Sequence, residues 1–139
     1  MKISTKGRYA IRCLVNIGKH SSNDFVSLLD IASEEEISFK YMEKIVNMLK
    51  KAGIVEAVRG AKGGYRLSKP TSEITLKDVL TITEGSLACV SCLQDNPNKC
   101  PRYKECSTVH VWEGLNNVID EYLSSITIQD VIDKNKKGN

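Results

Sequence analysis

The chain has little histidine and little aromatic side chain: His20 and His110 are the only histidines among 139 residues, and Phe, Trp and Tyr together make up 6%. Two isolated histidines offer little general-base capacity. No Ser/His/Asp set, phosphate-binding glycine loop or carboxylate pair stands out, so an enzyme is not expected. The scarcity of rings means that a core must be built from aliphatic residues, which the 41% hydrophobic content permits. No apolar run is long enough to span a membrane. The basic start, Met1-Lys2-Ile3-Ser4-Thr5-Lys6, leads into no signal-peptide stretch, and a cytoplasmic location is expected. There the five cysteines would not be structural disulfides.

Charge is present but unevenly spread. Residues 1–70 hold 13 Lys or Arg against 7 Asp or Glu, and residues 71–139 hold 7 against 10. A basic front and an acidic rear suggest that the front faces a polyanion.

The front half reads as helices followed by a hairpin. Tyr9, Ala10, Leu14 and Ile17 repeat at helical spacing from about Gly7 to Lys19, with Cys13 as a small buried neighbour. Val26 to Glu35 reads as a second helix with Leu28, Leu29, Ile31 and Ala32 inward. Ser38 is a suitable N-cap for a third helix reaching about Ala52, and Gly53 suits a left-handed terminator. Ile54–Val58 and Tyr65–Ser68 alternate like strands around Arg59-Gly60-Ala61-Lys62-Gly63-Gly64. Two short helices, a tight turn and a hairpin predict a mainly α winged helix-turn-helix. Ile74 to Glu84 is a fourth helix.

The first turn of a recognition helix reaches base edges in the major groove. That turn offers Ser38, Lys40, Tyr41, Glu43 and Lys44: the lysines for phosphate or guanine, Glu43 as acceptor from the cytosine amino group. Tyr41 is equally well read as core. The wing adds Arg59, Lys62, Gly63, Gly64 and Tyr65 for a minor groove or phosphate row. Thr5, Lys6 and Arg8 lie where a helix amide end and two cations can grip a phosphate. Double-stranded DNA is the expected partner.

Residues 85–106 lack periodicity and hold Cys89, Cys92, Cys100 and Cys106, with Lys99, Arg102 and Lys104 among them. Thiolates suit zinc or an iron–sulfur cluster, and such cysteines also serve as redox switches. Spacing alone leaves these open. Behind them, about Ser107 to Ser125 forms a long helix with Val111, Leu115, Val118, Ile119, Tyr122 and Leu123, an apolar stripe expected to pair with a second copy. Ile128–Ile132 reads as a last apolar turn and residues 134–139 as a disordered tail. The expected organisation is a DNA-binding domain over 1–84, a sensor loop over 85–106 and a dimerisation helix with its C-terminal turn over 107–133.

Four segments carry a family resemblance: Lys2 to Ala10, Ile37 to Glu43, Leu49 to Val55 and Val58 to Leu67. With Cys100, Cys106, Val111-Trp112 and Ser125-Ile126-Thr127, they make the chain resemble the winged-helix regulator family of IscR, NsrR and CymR along nearly its whole length. The resemblance implies a homodimer on a palindromic operator. It further implies that Cys92, Cys100 and Cys106 are metal ligands for an iron–sulfur cluster, with [2Fe–2S] favoured. IscR-like sensors place a histidine three positions after the last cysteine. Here Val109 stands there and His110 follows, so the fourth ligand is left between Cys89, His110 and a carboxylate of the partner. The alternative is a zinc-binding or cluster-free, CymR-like thiol sensor that depends on a protein corepressor.

Overall fold

The computed structural model describes residues 2–20, 23–61 and 63–136. Six helices and one hairpin follow in the order α1 (Thr5–Gly18), α2 (Leu28–Glu35), α3 (Phe39–Lys51), β1 (Val55–Val58), β2 (Gly64–Leu67), α4 (Leu76–Glu84), α5 (Val109–Ser125) and α6 (Ile128–Lys136). The mainly α winged helix-turn-helix is observed.

Hydroxyl caps begin the front helices. The hydroxyls of Ser4, Ser27 and Ser38 accept from the amides of Gly7, Asp30 and Tyr41, each satisfying a donor the helix leaves free. Thr75 and Asp78 form a reciprocal capping box at α4. Gly53, just past α3, has φ of 80°, the left-handed conformation that lets the chain leave the helix without a Cβ clash.

One aliphatic core joins these elements. Ala10, Cys13 and Leu14 of α1, Ile31 of α2, Met42, Ile45, Val46 and Leu49 of α3, and Val79 of α4 are all buried. Burial of each larger side chain stabilises the fold by about 1.5–3 kcal/mol. Leu29 departs from expectation: it is 65% exposed while Leu28, Ile31 and Ala32 turn inward. Successive helical residues lie about 100° apart, and eight residues can bury only one narrow stripe.

Val26 begins no helix. Its backbone exchanges two 2.8 Å hydrogen bonds with Tyr65, an antiparallel bridge that sets a one-residue third strand beside β2. Gly64 makes that approach possible, since a Cβ there would lie 2.4 Å from the Val26 carbonyl oxygen.

The rear also differs in part. The turn expected at Ile128–Ile132 is the start of α6, which runs to Lys136, so helix covers the first three positions of the expected tail; residues 137–139 lie outside the described residues. Ile128 and Ile132 enter the same core as α1. The junction is tied by backbone bonds from Leu76 to Ile126 and from Ile128 to Ile74. Packing therefore joins α6 to the front of the chain.

Candidate functional site

The first turn of α3 is held by contacts on its inner side and open on its outer side. Ile37, Met42, Ile45 and Val46 are buried, which turns Ser38, Lys40, Glu43 and Lys44 outward, all exposed. Ser38 accepts the Tyr41 amide at 3.2 Å, leaving its hydroxyl proton for a phosphate oxygen. Tyr41 is half-buried and packs against the core, its ring edge-on to Tyr9 with centroids 5.8 Å apart. Of its two expected roles the structure displays packing. Phe39, the first residue of α3, is 48% exposed. Sequence reasoning passed over it, although its place between the cap and Lys40 was the available signal.

The wing tip presents Arg59, exposed and free of any ion pair among the described residues. Lys62, its expected companion, lies outside the described residues. Gly63 and Gly64 are required by close backbone approach: a Cβ at Gly63 would sit 2.2 Å from the Val58 carbonyl. Tyr65 packs on the core and pairs with Val26, so its visible work is to seat the wing. Below the tip, Arg66 pairs with Glu56 and lies 4.6 Å over the Phe25 ring.

At the N-terminus, Thr5 and Arg8 are exposed and joined by a 3.1 Å bond from the guanidinium to the Thr5 hydroxyl. Lys6 is half-buried near Glu84. Burial pushes the Glu84 carboxyl up. Hydrogen bonds from the Ser4 amide, the Ser4 hydroxyl and Thr83, with the Lys6 charge, outweigh this and hold it below the usual range. Arg12 is spent internally, pairing with Glu35 at 3.1 Å and stacking 5.2 Å from the Tyr9 ring centroid.

All five cysteines are free thiols. Cys13 is buried, and burial followed by the Glu35 charge pushes its thiol up to about 12. It is inert packing, as its place on the α1 apolar face suggested. The other four occupy a segment built from short 3₁₀ turns over Ser91–Leu93 and Tyr103–Glu105. Asn98 spans the middle of it, donating to the Cys92 carbonyl at 2.6 Å and accepting from the Cys100 amide at 2.8 Å. Cys89 is docked on α5, its amide 2.8 Å from Asn116 Oδ1 and its Sγ 3.5 Å from the Trp112 carbonyl. The Tyr103 hydroxyl donates to Glu113, giving a second tie to α5.

The surroundings of Cys106 favour ionisation of its thiol. The Thr108 hydroxyl, 3.5 Å from its sulfur, and then the Thr108 amide lower its pKa, against a small opposing effect of burial, with further help from the Val109 amide and Arg102. The donor chemistry suits a thiophilic metal or cluster. The assembled geometry does not yet: among the described residues, no three His, Cys, Asp or Glu side chains converge as a metal site. His110 is exposed on the first turn of α5.

On α5, Val109 and Leu123 are buried, whereas Val111, Leu115, Val118 and Tyr122 are 59%, 42%, 62% and 63% exposed. Their spacing puts them on one side of the helix. No helix of the described residues is long and apolar enough to cross a membrane.

A capped helix-turn-helix with a glycine-bearing wing defines a winged-helix DNA-binding protein. The chain belongs to the Rrf2 family of transcriptional regulators, whose profile, described as an iron-dependent transcriptional regulator, matches residues 3–134. It is 37% identical over 132 residues to protein rrf2 of Nitratidesulfovibrio vulgaris, covering 95% of this chain and 87% of the relative. It is 32% identical to the HTH-type transcriptional regulator IscR of Vibrio campbellii, covering 98% and 80%. Among solved structures it resembles CymR, the global cysteine regulator of B. subtilis, with a TM-score of 0.79, 33% identity and coverage of 96% and 98%. It also resembles T. potens IscR, with a TM-score of 0.80, 32% identity and coverage of 100% and 91%. These relatives are transcription regulators, not enzymes.

Proposed function

We propose that this regulator acts as a homodimer on a palindromic operator and that a cluster held by Cys92, Cys100 and Cys106 sets its DNA affinity or choice of site. The observation that carries the dimer is the uncovered row of Val111, Leu115, Val118 and Tyr122 on α5. An apolar row on a helix 17 residues long is costly to leave in water, and its twofold copy is the self-complementary partner. Two α3 helices would then enter successive major grooves about one helical turn apart. Ser38, Lys40 and Lys44 hold the backbone, Glu43 selects cytosine, and Arg59 reaches the flanking groove or phosphates. Thr5 and Arg8 supply a phosphate contact at the start of α1, where the free amides favour an anion.

When bound, an iron–sulfur cluster supplies a centre whose gain, loss or oxidation reports iron, redox state or nitric oxide. The chain's own part is to bring its thiolates together. The Thr108 hydroxyl and amide lower the Cys106 pKa, Asn98 holds the backbones of Cys92 and Cys100 to one turn, and Lys99, Arg102 and Lys104 offset accumulating negative charge. Cys89 is engaged by α5, which favours His110 as the fourth ligand within the chain. If the segment drew together around such a group, Asn116 and Glu113 would carry the change to α5, and the Lys77–Asp120 ion pair would carry it on to α4.

Oxygen-free purification with iron and sulfide analysis, visible absorption and electron paramagnetic resonance tests this reading. A coloured protein with stoichiometric iron and sulfide, whose operator affinity changes on cluster removal, is the expected result. A colourless, iron-free, zinc-replete protein would overturn it. The free cysteines of this segment, with the Thr108 hydroxyl beside the Cys106 sulfur, favour one second reading, a cluster-free thiol sensor of the CymR kind working with a protein corepressor. Oxidant-dependent DNA binding in iron-free protein would identify it.

A further inference from the structure

Most exposed residues of the α3 first turn are polar or charged; Phe39 is the exception. A phenylalanine that is 48% exposed costs solvation for no visible packing return. It stands at the first helical position, directly after the Ser38 cap and before Lys40. Residues four apart share a helix side, so Phe39 lies in one row with Glu43 and Lys40 lies in the adjacent row with Lys44. The carboxylate row and the apolar ring thus face the same way, flanked by cations on the side that meets phosphate. Ile37, buried immediately before the cap, and Glu36, in the left-handed conformation at φ 55°, pin the entry to this turn. The ring is therefore presented from a fixed backbone.

In a major groove the only apolar group on a base edge is the thymine 5-methyl. We propose that Phe39 is a specificity-determining residue that packs on a thymine methyl in each half-site. This rests on the reading of α3 as the recognition helix. Four residues of helix rise about 6 Å and base pairs are spaced about 3.4 Å. For a helix lying along the groove, the thymine read by Phe39 falls within about two base steps of the cytosine read by Glu43. The row thus reads a pyrimidine pair by two different chemistries, methyl contact and amino-group acceptance.

The test uses the full-length protein and a duplex obtained by in vitro selection from random DNA. Each thymine of the selected site is replaced in turn by deoxyuridine, which removes the methyl and leaves pairing unchanged. Wild-type protein is expected to lose about fourfold in affinity at one thymine per half-site, the worth of one buried carbon, and about the square of that when both half-sites are changed. Phe39→Ala should bind the thymine duplex more weakly and show no difference between thymine and deoxyuridine at that position, while Phe39→Leu should keep part of the difference. Unchanged thermal denaturation of both variants would show that the fold is intact. Methyl sensitivity fully retained by Phe39→Ala, or lacking at every thymine in the wild type, would overturn the proposal while leaving DNA binding established. Failure of wild-type protein to select any duplex would instead remove the recognition-helix reading itself.

Discussion

Ser4 grips Glu84 across 80 positions of sequence, its amide 2.5 Å and its hydroxyl 2.8 Å from the two carboxylate oxygens. The same hydroxyl caps α1 by accepting from Gly7. Gly7 leaves room for this contact, since a Cβ there would meet Leu80, Thr83 and Glu84 at 3.0–3.2 Å. One carboxylate therefore fixes where α1 begins, and with it the placement of Thr5 and Arg8. It does so from the last residue of α4, directly ahead of the cysteine segment.

Replacing Glu84 by Gln should lower Tm by about 3–5 °C, the worth of about 1 kcal/mol, one net hydrogen bond, in a domain of this size. The folded carboxyl sits below its usual range. Its contribution is thus present above the unfolded-state pKa and is lost as pH falls through the folded value. Thermal denaturation between neutral and acid pH should show the wild type and Glu84→Gln converging as the pH drops. A gap that stays constant would contradict this.

Gly64→Ala places a methyl 2.4 Å from the Val26 carbonyl. The two Val26–Tyr65 hydrogen bonds must stretch or break, at a cost of about 2–3 kcal/mol. Calorimetry should show Tm about 10 °C lower, and operator binding should weaken as the wing shifts. Gly60→Ala meets no neighbour within 4 Å but keeps a φ of 121°, so it should cost less.

Arg59→Ala removes one cation from the wing of each subunit. The slope of log affinity against log salt should become shallower by about 0.9 per lost phosphate contact, about two per dimer. Fluorescence anisotropy titrations at several salt concentrations measure this. An unchanged slope would place the wing away from the phosphates.

Val118→Lys puts a charge into the uncovered row of α5. Sedimentation analysis should find a monomer where the wild type is a dimer, and affinity for a palindromic duplex should drop by about a hundredfold or more through loss of bivalency. Binding to a single half-site should change little.

In a protein retaining only Cys13 and Cys106, alkylation reports Cys106 alone, because Cys13 is buried with its thiol at about 12. Thr108→Val removes the hydroxyl that contributes most to lowering the Cys106 pKa. The pH–rate profile should move to higher pH. A profile indifferent to Thr108 would assign the effect to the backbone amides. Separately, Cys89→Ala should retain the iron content of the wild type, whereas Cys92→Ser, Cys100→Ser and Cys106→Ser should each lose it.

Local order along the chain was readable wherever a short-range rule governs it. Helix caps at Ser38, the terminator at Gly53, the period-two strands and the glycine turn depend on neighbours a few residues away, so α1, α3, the wing and the outward Lys40, Glu43 and Lys44 follow from spacing. The family segments made the winged helix explicit. Readings failed where distant contact overrides local pattern. Val26 suits a helix start by composition, yet Tyr65 takes it into a ladder; Leu29 is as apolar as Leu28, yet it faces water.

The amino-acid order by itself determined that this chain makes a helix-turn-helix with a basic wing and a thiol-bearing rear segment, because periodicity, capping and charge act over a turn or two. Tertiary structure alone decided that α6 returns to the α1 core, that Ser4 meets Glu84, that Cys89 docks on α5, and that Phe39 and the Val118 row stay in solvent. Those outcomes depend on which surfaces compete for burial once the elements are packed, a many-body choice that no short window of sequence contains.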